Sequence, residues 1–179
     1  MSVEATARSL WVFGYGSLIW LPGFDFVARR KALVTGWQRR LCIYSEHYRG
    51  TPDRPGLVLG LDEGGSCEGV AYRVDDGHRD ETIKYLRDRE LVTNVYIERE
   101  VCATLADGET VTALTYVADR LHGQYAAPME RERLLDLVRQ GVGQSGENAE
   151  YVLNTHDHLH ELGIPDPELE WLAERLRDL

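Results

Sequence analysis

Lysine is almost missing from this chain, cysteine is sparse, and no apolar run is long. Of the 20 basic residues only Lys31 and Lys84 are lysine, so 18 are arginine; the 30 acids outweigh them and leave a net charge of −10. That balance argues against a nucleic-acid partner and against binding to an anionic membrane surface. It also means that an anionic ligand needs a local cluster of arginines or backbone N–H groups. No segment reaches the roughly 20 apolar residues that crossing a bilayer takes. The opening MSVEATARSLWVF lacks the basic start and long apolar stretch of a secretory signal, which points to a cytoplasmic protein. The three cysteines, Cys42, Cys67 and Cys102, are too few and too scattered for a disulfide framework or a CxxC metal site. Each has apolar or β-branched neighbours and reads as a buried structural thiol.

What is present describes an ordinary globular chain. Its 179 residues, 43% hydrophobic and 28% charged, suit one domain spanning residues 1–179, with 1–9 as a flexible N-terminal segment. Short β-branched or aromatic runs punctuated by glycine predict strands at 10–13, 32–45, 56–62 and 67–74, with Glu63-Gly64-Gly65-Ser66 as the turn between the last two. A further pair flanks Ala106-Asp107-Gly108, a strong hairpin signal. Helical patterns cover about 76–90, 128–140 and 147–162. A last helix opens on Asp166 as N-cap with Pro167 at its first position, and Leu169, Leu172, Leu176 and Leu179 form its apolar stripe. Strands grouped early and helices late favour an α+β fold: a small mixed or antiparallel β-barrel flanked by α-helices.

Chemistry-bearing residues fall in four places. In WVFGYGSLIW (11–20), glycines on either side of Tyr15 let the backbone turn sharply and let a ligand come close to the main chain. Successive N–H groups of such a turn can cradle a carboxylate, with the Ser17 hydroxyl as a further donor; a tight turn serving geometry alone is the plainer alternative. No Gly-Lys-Ser/Thr follows, which excludes a phosphate loop, and Ile19 stands where a dinucleotide fingerprint needs its third glycine. The formal GxGxxG at 141–146 follows a helix instead of a strand and reads as a helix–loop–helix connection.

On the helix predicted over 76–90, Glu90 projects from the same side as Ile83 and Leu86, which should face the core. A carboxylate there is paired, protonated or functional, and burial would raise its pKa toward the range useful for proton transfer. In HYRGTPDRPG (47–56), His47, Arg49 and Arg54 lie in a loop where an arginine can grip a carboxylate bidentately or simply face water. GQSGENAEY (143–151) begins a helix that carries Tyr151, either a core residue or a ligand contact. His156, His158 and His160 in THDHLHE have partial metal-site spacing but lack the HExxH order, and read as polar residues near a helix end. No Ser-His-Asp or Cys-His arrangement is evident.

Taken together, FGYGSLIW, RGTPDRPG, CEGVAYRV, YLRDRE and GQSGENAEY, in that order, resemble the ChaC-type γ-glutamylcyclotransferases, over about Trp11 to Leu162. The resemblance implies a small β-barrel with flanking helices, no metal or organic cofactor, and cleavage of glutathione to 5-oxoproline and cysteinylglycine. It places the catalytic glutamate on Glu90 and the substrate loop on Gly14, Tyr15, Gly16, Ser17, Leu18 and Ile19, with Arg49 and Tyr151 near the substrate pocket. The wording DRELVTNVYIERE after the glutamate departs from the usual pattern of that branch. A cyclotransferase for other γ-glutamyl dipeptides or amines, and a non-catalytic γ-glutamyl-binding regulator linked to cation transport, remain alternatives.

Overall fold

The computed structural model describes residues 8–178. The first seven residues of the expected flexible segment and Leu179 of the last apolar stripe therefore lie outside the described residues. Five strands close a barrel: β1 (Leu10–Gly14), β2 (Ala28–Ser45), β3 (Gly56–Val74), β4 (Tyr96–Leu105) and β5 (Thr110–Ala118), in the spatial order β1-β3-β2-β4-β5. All neighbours are antiparallel except the closing pair, β1 with β5, which is parallel. The sheet is thus mixed, and the α+β barrel expected from the sequence is the fold observed.

One strand boundary differs from the sequence expectation. Residues 56–74 form a single 19-residue strand, and Glu63-Gly64-Gly65-Ser66 is no turn. Gly64 and Gly65 have φ of 104° and 57°, and opposite them the register slips between Thr35 and Trp37, where Gly36 has φ of 88°. Glycines at positive φ serve a bulge as readily as a turn. The extra twist of such bulges lets two strands this long curl into a five-stranded barrel. The hairpin at Asp107-Gly108 forms as expected, with Gly108 N–H donating to Leu105 C=O at 2.9 Å.

Helix α1 (Arg79–Glu90) follows β3, and α2 (Arg131–Gln140), α3 (Asn148–Glu161) and α4 (Pro167–Arg177) follow β5. The 141–146 segment is a small hairpin of two-residue strands, β6 (Val142–Gly143) and β7 (Gly146–Glu147), not a plain helix–loop–helix link. The Asp166 carboxylate caps α4 by accepting from Leu169 N–H at 3.1 Å, with Pro167 in its first turn as anticipated. Helices α2 to α4 share the barrel's main apolar core through residues such as Leu135, Leu159 and Leu172. Helix α1 instead covers a separate cluster, in which Leu86 packs with Leu18, Leu114 and Tyr116. No helix among the described residues is long and apolar enough to cross a membrane.

Cys42 and Cys67 are buried, and burial pushes their thiols up to about 12 and about 11. Cys102 corrects the expectation for all three, since it is exposed. It alternates on β4 with the buried Val101 and Ala103, and apolar neighbours in a strand belong to the opposite face.

Candidate active site

A pocket enclosing about 410 Å³ of empty space, its mouth included, is lined by residues of both the main core and the cluster under α1. The turn after β1 forms one wall, through Tyr15, Gly16, Ser17 and Leu18; Glu90 enters from the end of α1. The remaining walls are Leu59 of β3, Tyr96 of β4, Thr115 and Tyr116 of β5, and Tyr151 of α3.

The turn is built to expose its N–H groups. Ser17–Ile19 is a single 3-10 turn with no side-chain cap at Gly16. Its carbonyls are all occupied from behind. Arg39 Nε donates to Tyr15 C=O at 2.6 Å, and Ile19 N–H and Leu21 N–H donate to Gly16 and Ser17 C=O at 2.9 and 2.8 Å. The Tyr72 hydroxyl lies 2.8 Å from both the Leu18 and Ile19 oxygens. In a planar trans peptide the N–H points opposite to the C=O. Carbonyls pinned backward therefore turn the N–H groups of Gly16, Ser17 and Leu18 away from those partners, as an anion cradle requires.

Four tyrosines define the rest, and their hydroxyls are mostly spoken for. Tyr15 donates to Tyr116 C=O and Tyr96 to Leu59 C=O, both at 2.8 Å, and Tyr116 donates to Glu98 Oε2 at 3.0 Å. Glu98 is gripped in turn by Arg87 at 2.9 and 2.8 Å, which fastens the last turn of α1 to the barrel wall. Tyr151 differs: its oxygen accepts from Leu59 N–H at 3.1 Å, and among the described residues its own O–H has no acceptor. Burial holds the phenols of Tyr15, Tyr96 and Tyr116 above their ordinary range and pushes Tyr151 up to about 12. At neutral pH all four are uncharged hydrogen-bonding groups.

Glu90 is the last residue of α1, on the same side as the buried Leu86. Its side chain is 18% exposed, and burial raises its pKa against a smaller opposing pull from Arg89, whose Nε is 3.3 Å from Oε1. The negative end of the α1 dipole works in the same direction as burial. The result is a carboxyl that exchanges a proton more readily near neutrality than an exposed one does.

The structure brings Tyr15, Gly16, Ser17, Leu18, Glu90 and Tyr151 of the anticipated site into one cavity, and leaves three others out of its lining. Gly14 ends β1, where an added Cβ would lie 3.0 Å from Leu18 Cβ, so its part is to let the turn fold. Ile19 is 2% exposed and belongs to the core behind the turn. Arg49 stacks on the Tyr151 ring at 5.6 Å and donates to Glu147 C=O at 3.0 Å. His47 and Arg54 are also absent from the lining.

The two glycine-rich motifs meet behind Tyr151. Gln144 and Ser145 N–H donate to His47 and Tyr48 C=O at 2.9 Å each. Asn148, fully buried, bridges Leu57 N–H and C=O at 2.8 Å each and pins the first turn of α3 to β3, so that Tyr151 faces Leu59. Of the histidines, His158 stacks on Trp20 with ring centres 4.6 Å apart, and His156 and His160 stack on each other at 5.9 Å. Among the described residues no group of three His, Cys, Asp or Glu side chains is arranged to hold a metal.

Sequence reasoning missed Leu59, Tyr96, Thr115, Tyr116 and Arg89. Tyr116 and Thr115 are consecutive and both buried, which strict strand alternation does not anticipate.

The family model of ChaC-like proteins matches residues 10–179. The chain belongs to the ChaC-like family. Among ChaC-like relatives it is 33% identical to the glutathione-specific γ-glutamylcyclotransferase of Escherichia coli K12, over 95% of this chain and 74% of that one. It is 35% identical to the human glutathione-specific γ-glutamylcyclotransferase 1, over 95% of this chain and 78% of that one. A yeast γ-glutamyl cyclotransferase specific to glutathione has the same fold, with a TM-score of 0.84 at 23% identity, over 95% of this chain and 96% of that one.

Proposed function

We propose that this chain is a glutathione-specific γ-glutamylcyclotransferase, which splits glutathione into 5-oxoproline and cysteinylglycine. Glu90 is its proton carrier and the Tyr15–Leu18 turn its carboxylate cradle. The observation that carries the reading is a largely buried carboxylate with a raised pKa in the same cavity as a turn whose carbonyls are engaged by the protein's own donors. The activities of the named relatives support the choice of substrate.

The substrate supplies its own nucleophile. The α-amine nitrogen of the γ-glutamyl group attacks the side-chain carbonyl carbon and closes a five-membered lactam. The bond from that carbon to the cysteinyl nitrogen then breaks. Glu90 takes in turn the two protons that the attacking ammonium must lose to become a lactam N–H and passes each to the departing nitrogen, which leaves as an ammonium, so atoms and charge balance without water or a cofactor. Folding a flexible substrate into attack geometry is the larger task, and such ordering can lower a barrier by as much as about 7–11 kcal/mol. The Gly16, Ser17 and Leu18 N–H groups hold the α-carboxylate. The free O–H of Tyr151 donates a further hydrogen bond to substrate, with Arg49 fixing its ring from behind. Three free thiols fit a reducing, cytoplasmic setting.

The test is release of 5-oxoproline and cysteinylglycine from reduced glutathione by wild type and by Glu90→Gln. Turnover lost in the variant with substrate binding retained supports the assignment. Turnover persisting in Glu90→Gln shows that another group moves the proton.

A further inference from the structure

The RE pair that ends α1 contains a second residue built into this site. Arg89 is 22% exposed, and each arm of its guanidinium is engaged. Nη2 donates to Ser17 Oγ at 3.0 Å. Nη1 donates to Leu21 C=O at 2.7 Å and reaches Pro22 C=O and the Tyr85 hydroxyl at 3.3 and 3.2 Å. Nε stands 3.3 Å from Glu90 Oε1. Two parts of the chain 72 positions apart thus meet on one planar cation: the cradle turn with the segment just after it, and the end of α1 with its carboxylate.

We propose that Arg89 is a positioning residue for the reaction, orienting the Ser17 hydroxyl toward the substrate carboxylate while standing as the counter-charge to Glu90. The inference rests on the reading of Glu90 as the proton carrier. Its first half follows from hydrogen-bond inventory. A hydroxyl has one hydrogen to give and lone pairs to receive. With a lone pair of Ser17 taken by a guanidinium N–H, and no acceptor for the hydroxyl hydrogen among the described residues, the O–H is left to donate into the pocket that Ser17 lines. A charged donor behind a hydroxyl also polarises it and strengthens the bond it makes onward. The cradle itself holds no cation, so this relay brings positive charge to an anionic substrate without placing an arginine in the pocket.

The second half follows from what faces Glu90. Tyr15 from the turn, Tyr96 from β4, Tyr116 from β5 and Tyr151 from α3 all interact with its charge, and all are neutral phenols across the neutral range. Arg89 is the group that opposes the effect of burial on the carboxyl. Without it Glu90 would hold its proton to higher pH and act as a base over a narrower range. Lysine cannot reproduce the arrangement. It offers one point charge where the fork reaches Ser17, Leu21 and Glu90 at once.

The experiment is the pH profile of kcat/KM for glutathione in wild type, Arg89→Met, Arg89→Lys, Ser17→Ala and the double variant Ser17→Ala/Arg89→Met, each checked for folding by thermal melting. Arg89→Met should raise KM roughly tenfold, the scale of a lost charge-assisted hydrogen bond, and move the acidic limb to higher pH by about one unit. Arg89→Lys keeps the charge and should return the limb toward its wild-type position while KM stays high. The double variant should lose no more binding than the worse single one, because both changes break the same relay. A limb that stays in place in folded Arg89→Met, or additive KM losses in the double variant, overturns the proposal and leaves Arg89 a mere tie between helix and loop. If Arg89→Met does not fold, Arg89→Lys with and without Ser17→Ala carries the same decision: additive losses, or a limb displaced despite the retained charge, overturn it. Failure of the functional reading looks different. Wild type that releases no product, or Glu90→Gln that still turns over, removes the base and this inference with it; an inactive Glu90→Gln beside an unmoved limb removes only the inference.

Discussion

Asp62 and Glu90 are both carboxylates withdrawn from water in this barrel, and they fare in opposite ways. The Asp62 side chain, on β3, is 1% exposed, yet its pKa lies below the ordinary aspartate value. Burial alone would raise it, but hydrogen bonds from Arg120 and Tyr125, at 2.8 and 2.9 Å, and from Arg40 together outweigh that cost. The Glu63 N–H adds a donor at 3.0 Å. Glu90 keeps more exposure, at 18%, and its pKa rises because one arginine beside it does not compensate for burial. The supply of donors, more than the depth of burial, separates a structural acid from one left free to exchange protons.

Three substitutions would break or sharpen that contrast. Glu90→Gln has the largest expected effect: kcat should fall by about 10²–10⁴, the range for losing a positioned acid–base group, with KM within a few-fold of wild type. Asp62→Asn should leave turnover per folded molecule intact but lower the urea midpoint. The expected loss is about 2–3 kcal/mol, less than for a fully buried pair because Arg120 is 45% exposed.

Ser17→Ala comes next, with KM up roughly three- to tenfold and kcat nearly unchanged, as expected if its hydroxyl binds the same carboxylate before and during reaction. A drop in kcat at constant KM would move Ser17 to the developing oxyanion. The smallest effect is on stability, and its sign is the instructive part. The Glu90 pKa is raised on folding, so its contribution is full below about pH 4.3, the value in an unfolded chain, and is lost as pH rises through the folded value. Glu90→Gln should therefore melt slightly higher than wild type at pH 7, with no difference near pH 4. Asp62, depressed on folding, contributes above about pH 3.9 and loses that contribution as pH falls through its folded value. Melting curves of wild type and Asp62→Asn should converge on acidification.

Glu90 was legible because helical periodicity is a strong local signal, and an acid in phase with Ile83 and Leu86 breaks it. The glycine turn was legible for a similar reason, since glycines interrupt an otherwise bulky run. Tyr96 and Tyr116 were not, because each lies in a strand whose pattern says that it is buried and nothing about what lies beside it. The double glycine at 64–65 misled because turn and bulge make the same demand on φ, and only the pairing partner distinguishes them. Arg49 sits in a loop rich in turn residues, and sequence could not tell an arginine on a ligand from one on Tyr151.

The parallel seam between β1 and β5 has a consequence for how the molecule comes into being. Tyr15 finds the carbonyl of Tyr116 across 101 positions of chain, and Tyr151 follows later still. A chain emerging from the ribosome presents its cradle turn long before the strand that closes the barrel beside it. Contacts this far apart in sequence form slowly and together. Truncated or half-made chains carry the Gly-Tyr-Gly-Ser turn and even Glu90, but no enclosed cavity, so the catalyst comes into existence only with the completed barrel.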